Sequence, residues 1–127
     1  MIAVGEALLP AIEIVAANYV DTSAPIVIEG DAILPSLLTL PLLRPRAAGG
    51  LIRAVFLTES DESVLLANMK ARGRGVVGTV EADLRTEARA KWLHGRWLAA
   101  DAARAGLPVL ESRPWATLAE RIIAATG

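Results

Sequence analysis

The 127-residue chain contains no cysteine. That excludes disulfides, thiolate nucleophiles and thiolate-ligated metals together. It has one histidine, His94, so no histidine-rich metal centre can form. A hydrolase triad would also need His94, which reads as mid-helix, and no Gly-x-Ser-x-Gly elbow presents a serine. Excess charge of one sign is missing as well: thirteen basic and fourteen acidic side chains leave a formal charge of −1. This balance argues against a protein that neutralises many phosphates, and so against nonspecific nucleic-acid binding. The N-terminus lacks a basic segment ahead of an apolar core, which argues against a signal peptide. The longest uncharged run near the middle, residues 32–43, contains Pro35 and Pro41. At about a dozen residues it falls short of the roughly 20 that span a bilayer. The expectation is a soluble, cytoplasmic protein with neither membrane nor nucleic acid as partner.

What is present is a core-forming composition, 54% hydrophobic and 21% charged. A chain of this length suits a single domain and can bury roughly two thirds of its unfolded surface. Residues 5–20 carry Leu8, Ile12, Val15 and Tyr19 at helical spacing. Pro10 falls in the first turns, where it is best tolerated. Residues 26–28, Ile-Val-Ile, are apolar on both faces, as a buried parallel strand is. Residues 35–43 read as a short helix or turn and 44–50 as a loop. Residues 51–58 read as a second strand. A helix follows to about Arg72, capped by Ser60 or Asp61. Gly73, Gly75 and Gly78 then frame an arginine-bearing loop, about 72–80. A long helix over 80–105 ends at Gly106, with Pro108 beyond. Residues 107–111 read as the third strand, and Pro114 suits the first position of a last helix.

Strands alternating with helices predict an α/β fold: a three-layer, mostly parallel sheet with helices on both faces. Ligands of such sheets sit beyond the carboxyl ends of the strands. Those ends are Glu29-Gly30-Asp31, Thr58-Glu59-Ser60-Asp61 and Glu111-Ser112-Arg113-Pro114. Glu29 and Asp31 can hold a metal through water or take a proton from a hydroxyl, or else cap the next helix. Arg72 and Arg74 can clamp a phosphoryl group, or be solvated loop residues. Glu59 and Asp61 read first as cap residues. Arg85, Arg89 and Arg96 read as surface ion-pairing residues. His94, Trp92, Trp97 and Trp115 read as packing residues.

Residues 25–35, Pro-Ile-Val-Ile-Glu-Gly-Asp-Ala-Ile-Leu-Pro, resemble the strand, Glu-Gly and Leu-Pro segment of P-loop small-molecule kinases. The adenylate-kinase-like, 2-phosphoglycerate-kinase-like and zeta-toxin-like groups are the nearest. Val55-Phe56-Leu57-Thr58-Glu59, with Asn68 through Arg74, resembles the strand, helix and lid of the same kinases. Gly106 through Leu110, with Ser112-Arg113-Pro114-Trp115, resembles their final strand and adenine-side loop. The resemblance implies ATP-dependent phosphoryl transfer to a small hydroxyl-bearing molecule, with ATP and Mg²⁺ bound. It puts Glu29 and Asp31 on the metal or the acceptor hydroxyl. Arg72 and Arg74 then neutralise the transferring oxygens, and Ser112, Arg113 and Pro114 border the adenine. Such kinases begin with a strand and Gly-x-x-x-x-Gly-Lys-Ser/Thr, whose backbone cradles the phosphates. No such loop is present here. Roughly 60–80 upstream residues would carry it, about two βα units, which makes Met1 a candidate internal methionine. In the family the phosphate-loop strand lies between the strands ending at Glu29 and Thr58. Its absence predicts a chain inactive by itself. The other reading is a non-catalytic remnant, or an assembly or nucleotide-binding module, that oligomerises through its sheet, with a homodimer as the simplest form.

Overall fold

The structure, a computed structural model, describes residues 1–72, 78 and 80–127. The chain divides into two compact units, residues 1–54 and 55–127.

The first unit is helical. Helix α1, Ile2–Asp21, is followed by a 3₁₀ turn, Pro35–Thr39, and helix α2, Leu43–Ala48. Ala16 and Ala17 of α1 pack with Leu37 and Leu43, and Leu9, Ile12, Ile33, Leu40 and Ile52 surround them. Leu43 is sealed from solvent completely. Two polar staples join the same elements. The Glu13 carboxylate accepts the Leu42 N–H at 2.7 Å. Arg46 grips Asp21 through Nε at 3.0 Å and Nη2 at 2.7 Å, and also donates to the Leu42 carbonyl. Gly5 is buried because the following chain crosses over it: a Cβ there would lie 2.6 Å from the Ala32 carbonyl oxygen. Val4, Leu8, Val15 and Tyr19 remain exposed along α1. By length and composition α1 could cross a bilayer, although the sequence was expected to hold no such segment.

In the second unit the order is β1, Phe56–Thr58; α3, Glu62–Arg72; α4, Glu81–Arg104; β2, Val109–Glu111; a 3₁₀ turn, Trp115–Thr117; and α5, Leu118–Thr126. The two strands pair in parallel, with Phe56 opposite Val109 and Thr58 opposite Glu111. Helices α3 and α4 pack on each other, and α4 also packs on both strands. Among the described residues of this unit, Phe56, Leu84, Ala88 and Ala102 are the buried apolar side chains. Helix α4 ends as expected at Gly106, which takes φ +69° and lets the Leu107 N–H reach the Ala102 carbonyl.

The expected three-layer sheet does not form. Among the described residues there is one sheet, of two strands and three residues each, in a chain that is otherwise mostly helical. Residues 26–28 are not a strand, and Val27 is 93% exposed. Their β-branched side chains favour extended backbone, but a strand exists only where a neighbour meets its N–H and C=O groups. The second strand starts at Phe56 rather than residue 51. Residues 44–50, expected as a loop, are mostly helix α2. Pro45 falls in its first turn, where a proline needs no N–H partner. The Arg113–Pro114 peptide bond is cis, and Pro114 precedes a 3₁₀ turn rather than opening α5.

Candidate functional site

Parallel pairing in this register brings the carboxyl ends of β1 and β2 level. The Ser112 N–H continues the ladder to the Thr58 carbonyl at 2.8 Å. Beyond it, residues 59–61 and 112–114 run side by side. The Glu59 side chain is 95% shielded, and Arg113 meets it with two hydrogen bonds, Nε to Oε2 at 2.7 Å and Nη2 to Oε1 at 2.9 Å. The Asp61 N–H adds a third, at 3.0 Å. A carboxylate holding three donors is favoured in its charged form. The Arg113 hydrogen bonds hold the Glu59 carboxyl below its ordinary value, and Glu59 in turn raises Arg113. Arg113 itself stays 47% exposed, a fixed guanidinium at the mouth of the strand ends.

The surroundings fix both loops. Asp61 caps α3 as expected, its Oδ1 accepting from the Ser63 N–H at 2.9 Å and hydroxyl at 2.6 Å. Those bonds lower its carboxyl as well. The Glu111 carboxylate accepts the Ser60 N–H at 3.2 Å. Trp92 of α4 donates its indole N–H to the Ser60 carbonyl at 2.8 Å, with Arg89 and Arg96 close to its ring. Arg89 pairs with Glu62 at 2.6 Å. From α5, Arg121 donates to the Glu111 carbonyl at 2.7 Å and to the Pro114 carbonyl at 3.0 Å. Ser112 is buried, and among the described residues no buried side-chain polar atom lacks a partner.

No family model matches this chain, nor does any curated protein or solved structure.

Of the expected site residues, Ser112, Arg113 and Pro114 share one loop at the β2 end. Arg72 is exposed in the last turn of α3. Arg74, with Gly73 and Gly75, lies outside the described residues. Glu29 and Asp31 belong to the first unit, on an exposed loop. Among the described residues no three metal-capable side chains gather. Mg²⁺ commonly takes one or two carboxylates and completes its shell with phosphates and water. Two acids spaced as Glu29 and Asp31 are fit that pattern and no richer one.

Sequence reasoning missed the Glu59–Arg113 pair, taking Glu59 as a cap. The two residues are 54 positions apart, and only the parallel register joins them. It also missed Arg121 as the clamp on the β2 end. The surface ion pairs of Arg85 and Arg89, expected on α4, are present with Glu81 and Glu62. His94 stacks on Trp97, a packing role.

Proposed function

We propose that this chain belongs to an ATP-dependent phosphotransferase acting on a small hydroxyl-bearing molecule in the cytoplasm, and that by itself it does not catalyse transfer. The observation that carries the reading is the pair of polar loops, 59–61 and 112–114, side by side at the carboxyl ends of a parallel pair. That edge is where open parallel sheets bind ligands. The resemblance of residues 25–35, 55–74 and 106–115 to P-loop kinases supports the same reading. Ser112, Arg113 and Pro114 would border the adenine, with the Arg113 guanidinium held in place by Glu59. Arg72 and Arg74 would neutralise the transferring oxygens. Phosphoryl transfer is mostly positioning and charge neutralisation, which is why these residue types suit it. The chain has no Gly-x-x-x-x-Gly-Lys-Ser/Thr, so the phosphate cradle would have to be supplied from elsewhere. Calorimetry of the protein isolated from its own source tests this. ATP·Mg²⁺ should bind, and Arg113→Ala should weaken binding about tenfold, the loss of one charge-assisted hydrogen bond. Absence of ATP binding by the native protein ends the proposal.

A second reading, a non-catalytic assembly module, is favoured by a separate observation. Among the described residues the sheet has only two strands, a number that is marginal in water. Leu57, Trp115 and Ile123 are exposed in the same unit. Light scattering tests it: a mass above 13.4 kDa supports association, and a clean monomer removes it.

A further inference from the structure

The chain carries both halves of an incomplete β-ladder. One half is an open strand edge. In a parallel pair alternate residues face each neighbour. Phe56 and Thr58 bond to β2, so Leu57 presents its N–H and C=O to the far edge of β1. The far edge of β2 differs: its Glu111 carbonyl is already taken by Arg121. Edge addition is thus blocked on the β2 side and open on the β1 side, where Leu57 is exposed. The other half is an apolar segment without a ladder. Residues 24–30 are neither helix nor strand, and among the described residues no backbone–backbone hydrogen bond involves Ile26, Val27 or Ile28. All three side chains are exposed, although all are β-branched and suited to a sheet. The segment is three residues long, as β1 is.

We infer that residues 25–29 of one copy add as a third strand to the β1 edge of a second copy, and that reciprocal exchange closes a two-fold dimer. The inference rests on the assembly reading and names its partner and its contact. Strand addition satisfies main-chain groups on both sides at once. A second copy is the occupant the chemistry favours, because each copy offers one free strand and one free edge. Two such complements on one molecule close under two-fold symmetry, with neither half left over.

Light scattering with amide hydrogen exchange tests the exchange. The wild type should have twice the mass of 13.4 kDa, with slowed exchange at Leu57 and at alternate amides of the added segment, either Val27 or the pair Ile26 and Ile28. Val27→Pro removes one donor in a segment outside every helix. It should return the mass to that of one chain with the helical circular dichroism unchanged. A dimer whose amides at 26–28 exchange freely overturns the inference and leaves the assembly reading standing. A monomer at every concentration overturns both. A monomer in which the amides at 26–28 are protected also overturns it, because the strand would then be satisfied within one chain. The exchange readout on the wild type decides the matter even if Val27→Pro does not fold.

Discussion

In residues 1–54 the side chain most completely shut away is Leu43, set among Ala16, Ala17 and Leu37. In residues 55–127 a carboxylate is shut away at the strand ends, Glu59 under Arg113. Apolar packing is non-directional and tolerant of what lies around it. An ion pair with one partner shielded and the other half-exposed is directional, and it weakens when either partner or the proton balance changes. The first unit is therefore built to resist change of solvent and to suffer from change of volume. The second is built to suffer from loss of charge.

Leu43→Ala should sharpen that contrast most. It leaves a cavity in the first unit and should cost about 3 kcal/mol, read as a lower urea midpoint by circular dichroism. An unchanged midpoint would mean that α1, the first 3₁₀ turn and α2 are not held by this cluster. Gly5→Ala comes next. Replacing a helical glycine by alanine ordinarily stabilises, by about 1 kcal/mol. Here the new Cβ would meet the Ala32 carbonyl and the Leu34 side chain, so the sign should invert to a loss of about 2 kcal/mol. A gain in thermal stability would show that residues 32–34 do not lie over the helix.

The second unit should respond to acid. Arg113 holds the Glu59 carboxyl below 4.5, so the unfolded chain takes up its proton at higher pH than the folded one. The stability contributed by Glu59 is present above pH 4.5 and is lost as pH falls through the lowered folded value. Asp61, through Ser63, and Glu81, through Lys70, act in the same direction. Trp92, Trp97 and Trp115 all lie in this unit, so tryptophan emission reports it. Glu59→Gln should cost about 1 kcal/mol at neutral pH and flatten the acid limb of the melting curve. An acid limb identical to wild type would remove Glu59 from the account. The smallest effect should be Gly106→Ala, about 1 kcal/mol or slightly less, because alanine must adopt φ +69°.

The longer helices, though not α2, were legible because their signals are local. The apolar spacing of Leu8, Ile12, Val15 and Tyr19 marks α1 within one stretch of chain. Asp61 and Gly106 mark helix ends through groups a few residues away. The sheet was half legible: residues 56–58 and 109–111 are strands, and 26–28, the most strand-like by composition, are not. Side chains alone cannot make a strand, since the neighbour that completes it is written elsewhere in the chain or not at all. At the candidate site the same limit applies. Arg113 was picked from its place after a strand, while its partner Glu59 looked like any acid before a helix. No feature between positions 59 and 113 announces the pair.

The parallel register also dictates an order of events as the protein forms. Phe56 meets Val109 although about fifty residues separate them, and a loop of that length is slow to close. The α3–α4 hairpin in between is built of near neighbours and can form first, bringing the strands within reach. During synthesis Glu59 leaves the ribosome long before Arg113 does, so the carboxylate spends that interval in water and is dehydrated only at the end. Pulse-labelling of amides during refolding should find α3 and α4 protected ahead of Phe56–Thr58. Simultaneous protection would mean that strand closure and hairpin formation are a single step. The ion pair then acts as a latch, thrown once the whole second unit has been made.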